Sequence, residues 1–358
     1  MNHALRFDWM KLQEACAAIL ERNGVPLKHA AVVAESLVHA DLRGIESHGV
    51  SRLPIYVERI KKKLIEPDQE VAMLLDNGST ILLDGRNQLG AVVGDAALRE
   101  VLTRAAQTGI AMVGVRHSNH FGACSFYAEK AIHARQILIV LSNAPQSMAP
   151  IGGSRPFLGS NPLAIGIPSK YEAPFLLDMA TSTVARGKIV LAEKEGKSIP
   201  EGWAIGADGQ PTTNPAEALL GSILPVGGAK GYGLALFIDI LCGLLTGAGF
   251  ADQVYSLYDN WDHPQNIGHI FIAIHIDHFV SYEKFTQSME QYCLQLKAEP
   301  TAVGVSEILI PGEREYRCMI ACKQEGIPLG HATVAELQNL AKAHQVDLNQ
   351  SIIHPQKP

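Results

Sequence analysis

Thr80-Ile-Leu-Leu83, Gly94-Asp-Ala-Ala-Leu-Arg-Glu-Val-Leu-Thr-Arg-Ala-Ala-Gln-Thr108 and Ile110-Ala-Met-Val-Gly-Val115 together decide the fold. The first and last are short apolar runs bounded by turn residues, as buried strands are. Between them Ala97, Leu98, Val101, Leu102 and Ala105 recur at helical spacing. The same texture continues, with strands expected at Ile137–Leu141, Leu163–Ile167, Phe175–Leu177 and Ile270–Ile276, and helices at Phe126–Ala134 and Phe285–Leu296. Strands alternating with helices indicate an α/β chain.

Upstream the texture is helical. Leu12, Ala15, Cys16, Ile19 and Leu20 follow a 3.6 period that stops at Asn23-Gly24, and a second helix is expected from Leu27 to Leu42. Pro54 is tolerated only in a first turn, so a third helix is read from Arg52 to Lys62 with Ser51 as its N-cap. Val334–His344 reads as a late helix, and the tail Gln350–Pro358 as frayed. The expected organisation is a helical domain over 1–75, joined by 305–358, and a mixed α/β domain over 76–304.

A chain of 358 residues with 47% hydrophobic and 18% charged residues can bury a large core and is not disordered. Thirty basic residues against 36 acidic ones, without long runs, exclude the basic stripe of a nucleic-acid binder. The most apolar stretch, Leu234–Leu245, contains Asp239 and is too short for a membrane span, so a buried helix is expected there. The N-terminus lacks a signal-peptide core, and six scattered cysteines make no disulfide framework, so a cytoplasmic protein is expected. Cys318 and Cys322 share a helix face, but two thiols are an incomplete metal site.

The chemistry concentrates in Arg43-Gly-Ile-Glu-Ser-His-Gly-Val-Ser-Arg-Leu-Pro-Ile-Tyr56. His48 is a near-neutral proton carrier, Arg52 a forked cation, and Ser47 and Tyr56 supply hydroxyls. A cation beside an imidazole suits a carboxylate whose neighbouring carbon gains or loses a proton, although a capped surface helix with a solvated Arg would show the same spacing. A second cluster, Arg116-His-Ser-Asn-His-Phe-Gly-Ala123, follows a strand, where ligand sites in α/β sheets collect. His120 is its better acid/base candidate. His117 and His120 are three apart, but neither H-E-x-x-H nor a neighbouring acid accompanies them, so no metal is expected.

G-x-G-x-x-G is absent, which removes the usual Rossmann phosphate cradle. Pro225-Val-Gly-Gly-Ala-Lys-Gly-Tyr-Gly233 is the nearest substitute, with Lys230 as a point charge for phosphate or, alternatively, a glycine turn for close packing. Asp178 ends an apolar run and suits either a ribose hydroxyl or a helix cap.

Taken in order, these segments resemble the malate/L-lactate dehydrogenase family that is distinct from the Rossmann enzymes and includes ureidoglycolate, sulfolactate and 2,3-diketogulonate dehydrogenases. The matching pieces are Arg43–Gly49, Arg52, Tyr56, Asn119-His-Phe-Gly122, Gly159-Ser-Asn-Pro162, Asp178-Met-Ala-Thr181, Arg186-Gly-Lys188, Pro200-Glu-Gly-Trp203, Pro211-Thr-Thr213, Gly227–Gly233 and Pro311-Gly-Glu313. The resemblance implies a non-Rossmann, mixed-sheet α/β fold of α+β type. It also implies an oxidoreductase using NAD or NADP, with NAD favoured, on a 2-hydroxy or 2-oxo acid, and a homodimer. It assigns catalysis to His48 and His120, substrate binding to Ser47, Arg52 and Tyr56, and cofactor contacts to Ala144, Asp178, Met179, Ala180, Lys230, Gly312, Glu313 and Arg314. A malate or (S)-lactate type of substrate is expected. The Val254–Ile267 region, with Tyr258-Asp-Asn260, is similar to ureidoglycolate dehydrogenases and keeps that substrate as the alternative. A metal-dependent hydrolase or lyase built on His48, His117 and His120 is the reading from another class.

Overall fold

The computed structural model describes residues 5–353. Its first strand, β1 (Leu5–Phe7), leads into α1 (Trp9–Glu21), which starts where Asp8 accepts a hydrogen bond from the Lys11 N–H. Helices α2 (Leu27–Leu42) and α3 (Leu53–Lys61) follow, separated by two 3₁₀ turns, Glu46–His48 and Val50–Arg52. The expected N-cap at Ser51 is not there. Pro54 sits in the first turn of α3, but a second short turn precedes it, and the Ser51 hydroxyl donates to the Glu46 carbonyl instead.

The chain then builds a mixed sheet from β2 (Ala72–Asp76), β3 (Thr80–Asp84), α4 (Gly90–Thr108), β4 (Ile110–Ser118), α5 (Cys124–His133), β5 (Gln136–Ser142), β6 (Leu163–Ile167) and β7 (Phe175–Met179). A smaller lobe inserts α6 (Arg186–Lys194), β8 (Ala204–Ile205), β9 (Pro211–Thr212), α7 (Pro215–Leu220), β10 (Ser222–Ile223) and α8 (Ala229–Asp239), which continues as a π-helical segment through Leu245. Strand β11 (Ile267–His275) returns to the main sheet, and α9 (Tyr282–Ala298) follows it. Helix α10 (Glu313–Glu325), β12 (Ile327–Leu329) and α11 (His331–Ala343) complete the chain.

The seven-stranded order is β2-β3-β4-β11-β5-β6-β7, with only β3 and β4 parallel. The β3–α4–β4 crossover that opens the sequence reading is therefore the single parallel unit of this sheet. β11 inserts antiparallel to both β4 and β5 and is buried almost throughout.

Four apolar clusters hold the parts, one of them setting Ile238 and Cys242 against Leu141, Leu163 and Ile270 of the sheet. Leu12, Leu37, Leu53 and Val57 pack with Met319, Leu337 and Leu348. Val93, Val113, Phe126, Leu138 and Phe271 fill the sheet, and Met148, Leu158, Ile189 and Ile223 fill the smaller lobe. β1 pairs with β12, and the Asp8 N–H donates to the Ser351 carbonyl, so the tail as far as Ile353 is packed rather than frayed; residues 354–358 of the expected tail lie outside the described ones.

The apolar helix expected to be buried is not. Phe237 is 53% exposed, Leu244 55% and Leu245 61%, while Ala235, Ile238 and Cys242 face inward. A helix apolar on all sides fits a core or a face that meets another surface. Among the described residues, no helix is long and apolar enough to cross a membrane.

Candidate active site

Two segments 64 residues apart meet at His120. The Tyr56 hydroxyl shares a 2.6 Å hydrogen bond with His120 Nδ1, and the His48 and His120 rings stack with centroids 5.4 Å apart. Ser47 Oγ lies 2.9 Å from His48 Nδ1, and Arg52 Nε donates to the Ser47 carbonyl at 2.5 Å. Thus Ser47, His48, Arg52, Tyr56 and His120 form one group. His120 is placed by the loop after β4, and Gln265 Oε1 accepts from its backbone N–H at 3.0 Å.

The turn bearing His48 is shaped by a residue the sequence reading passed over. Asp41, buried near the end of α2, accepts from the Val50 N–H at 2.7 Å. Gly49 passes so close that a Cβ there would fall 1.8 Å from Asp41 Oδ1, so only glycine fits. Burial pushes the Asp41 carboxyl up to about 8, opposed by the Val50 N–H, which leaves it protonated at neutral pH. An acid inside an otherwise apolar helix face was the available signal.

The site is electrostatically unfavourable to added positive charge. Burial, and then the Arg52 cation, lower the His48 pKa to about 4. Burial, His48, Arg52 and His269 hold His120 well below its ordinary range. Burial also raises the Tyr56 hydroxyl, keeping it a neutral hydrogen-bonding group. An anion entering here offsets the guanidinium and makes imidazole protonation less costly.

Cofactor candidates gather elsewhere, around the end of β7. Met179 pairs with Leu163, the Ala144 N–H donates to Asn161 Oδ1, and the Thr181 N–H donates to the Ser160 carbonyl. The Val226 N–H donates to the Thr181 carbonyl, which sets the glycine turn against Asp178-Met-Ala-Thr181. Gly227 and Gly228 have φ of 61° and 65°, with open space where a Cβ would lie, and they lead into the N-terminus of α8 beside exposed Lys230. Gly312 also reaches this strand, because the Leu176 N–H donates to the Pro311 carbonyl. A left-handed glycine pair with open space above it, a helix N-terminus and a lysine together fit the phosphates of a dinucleotide.

Three side chains have other partners. Asp178 accepts from the Ser125 N–H at the start of α5, so it caps that helix and not the one after it. Glu313 is buried and bonded to Lys297, Arg317 and the Ile310 N–H, whereas Arg314 is exposed against Glu315. Contacts from Asp178 and Glu313 to a ligand would use their backbone. His117 stands on β4 itself and turns to Asp84, an acidic partner supplied by β3 that the local sequence does not show. Among the described residues, no three His, Cys, Asp or Glu side chains gather as a metal site; Cys318 and Cys322 form only a pair, 3.9 Å apart.

The family model for malate/L-lactate dehydrogenase matches residues 7–338. The malate/(S)-sulfolactate dehydrogenase of Methanothermus fervidus is 38% identical over 92% of this chain and 95% of its own. The ureidoglycolate dehydrogenase (NAD(+)) of Escherichia coli O157:H7 is 36% identical over 86% and 87%. The sulfolactate dehydrogenase structure from Methanocaldococcus jannaschii superposes with a TM-score of 0.91, at 35% identity, over 97% of this chain and 99% of that one. The chain belongs to the malate/L-lactate dehydrogenase family.

Proposed function

We propose that this protein is an NAD(P)-dependent dehydrogenase that interconverts a 2-hydroxy acid of the malate or (S)-lactate type and its 2-oxo acid. The observation that carries the reading is the convergence of His48, Arg52, Tyr56 and His120 from two distant segments. Arg52 binds the substrate carboxylate through its terminal nitrogens, since its Nε is engaged by Ser47. His120 moves the hydroxyl proton. With Nδ1–H donating to Tyr56, its Nε2 is the free base, and the low pKa keeps it unprotonated for oxidation. In reduction the same nitrogen returns the proton to the developing alkoxide. His48 stacks against His120 and keeps a second neutral imidazole beside Arg52.

A nicotinamide supplies or accepts the hydride when bound. Ala144, Met179, Ala180, Lys230 and Gly312, with the backbone of Asp178, Glu313 and Arg314, are the residues that would hold it. Following the near-ultraviolet absorbance of NADH and NADPH with a panel of 2-oxo acids tests the reading. Oxidation of the nicotinamide by a member of the panel is expected, and failure with every member refutes it. Ureidoglycolate belongs in the reverse assay, because the relative named for it matches 86% of this chain.

An apolar cluster drawn mainly from 1–75 and 305–358, which Leu89, Ala91, Val92 and Leu257 join from between, beside a second one within the sheet, supports two domains, 1–75 with 305–358, and 76–304. The exposed apolar side of α8 and its continuation supports a homodimer, and the absence of a spanning helix among the described residues fits a cytoplasmic enzyme.

A further inference from the structure

Arg59 is fully buried, yet no carboxylate pairs with it among the described residues. Its guanidinium instead donates to three carbonyl oxygens of one loop, those of Leu257 (3.2 Å), Asn260 (2.8 Å) and His263 (3.0 Å). The loop is also tied internally, with Asn260 Oδ1 accepting from the His263 N–H and Ser256 Oγ from the Tyr258 N–H. What this bracing holds in place is Tyr258, half-exposed, whose ring centre lies 5.1 Å from Arg52 Cζ. Arg52 and Tyr258 border a groove of about 600 Å³, whose other walls include Ile55, Trp261 and Leu340.

We propose that Tyr258 is a specificity-determining residue, and that Arg59 is the positioning residue that sets it over Arg52. The inference rests on Arg52 as the carboxylate anchor. The ring face attracts the guanidinium and limits its rotation, so the fork is oriented before substrate arrives. His48 and His120 do not line the groove, which Glu58, Lys61 and Glu336 make polar beyond the anchor, so only a substituent long enough to pass Arg52 meets the Tyr258 ring. Arg59 suits the loop because a planar fork reaches several carbonyls at once, which an ammonium does not.

Steady-state kinetics with the best 2-oxo acid of the panel and a longer-chain homologue test this in the full-length protein. Tyr258→Leu should raise KM for the best acid about three- to tenfold, the range of a partly desolvated cation–π contact. KM for the nicotinamide should stay unchanged, and the preference for the short acid should narrow. Tyr258→Phe, which keeps the ring, should restore wild-type values. Arg59→Lys, checked by thermal melting to be folded, should reproduce Tyr258→Leu, and the double variant should be no worse than the single. An unchanged KM and chain-length preference in Tyr258→Leu overturns the proposal, as does additivity of the two changes. If Arg59→Lys does not fold, the Tyr258 variants alone decide. Arg52→Lys separates the layers. If it leaves KM unaltered, the anchor reading fails; if it raises KM while the Tyr258 variants do nothing, only the present inference fails.

Discussion

His120 and His269 are close enough for the charge of one to depress the pKa of the other, yet they are built for opposite ends. His269 has both nitrogens occupied, by Ser142 Oγ at 3.0 Å and Ser118 Oγ at 2.8 Å, and its ring stacks on Phe121 at 4.0 Å. His120 has one nitrogen tied to Tyr56, and the other makes no hydrogen bond among the described residues. A satisfied imidazole serves as core; a half-satisfied one, beside an arginine and a second histidine, is available for proton transfer. Burial and lowered basicity are common to both, so neither feature identifies function by itself.

The widest separation of the two should come from replacing each with alanine. His120→Ala is expected to lower turnover by ~10²–10⁴ with little change in melting temperature, the scale of general acid–base catalysis. His269→Ala should do the reverse, because it opens a cavity between two buried serines and removes the ring stacked on Phe121; melting temperature and per-molecule turnover, measured on both, would erase the contrast if they moved together. Gly49→Ala should be next, forcing a Cβ onto Asp41 and costing at least the ~1–3 kcal/mol typical of overpacking. Denaturant midpoints check it, and a normal midpoint would mean that the His48 turn is not held as described. Tyr56→Phe removes the partner that sets the His120 tautomer and should reduce turnover by about tenfold, the equivalent of one net hydrogen bond of ~1.5 kcal/mol. No loss in that variant would detach Tyr56 from the proton path.

The last effect is in acid. His269 has a pKa of about 3 when folded, against ~6.5 when unfolded. Below pH ~6.5 the unfolded chain takes up a proton that the folded one refuses, so stability falls as pH drops through this window towards 3; above it, both states are neutral and the contribution is flat. Melting curves of His269→Gln should therefore be less acid-sensitive than wild type between pH 6 and 4. A parallel pair of curves would assign the wild-type slope to other groups, His48 first among them.

Much of this was legible because it is local. The strands β3 to β7 announce themselves as apolar runs between glycines, and Ser47, His48, Arg52 and Tyr56 lie within ten residues of one another. β2 was just as legible, since Val71-Ala-Met-Leu-Leu75 is an apolar run leading into the Asn77-Gly78 turn, but it was passed over; β8, β9 and β10 are two residues each, too short for a period. The outward face of α8 misled because an apolar helix reads the same whether its cover comes from this chain or another. Gln265 and Arg59 were invisible as candidate-site residues for a different reason: each acts through a backbone group brought to it only by the tertiary fold, whereas Asp41 was at least marked by its place on an apolar helix face.

The pairing of β1 with β12 has a consequence for how the protein is made. The apolar cluster behind the His48 turn draws on Met319, Leu337 and Leu348, which leave the ribosome long after the helices they cover. Helices α1 to α3 are thus made well before the segment that covers them, and until it arrives their inward faces are exposed to chaperones. The turn that carries His48 and Arg52 gains its full backing only when that distant segment docks.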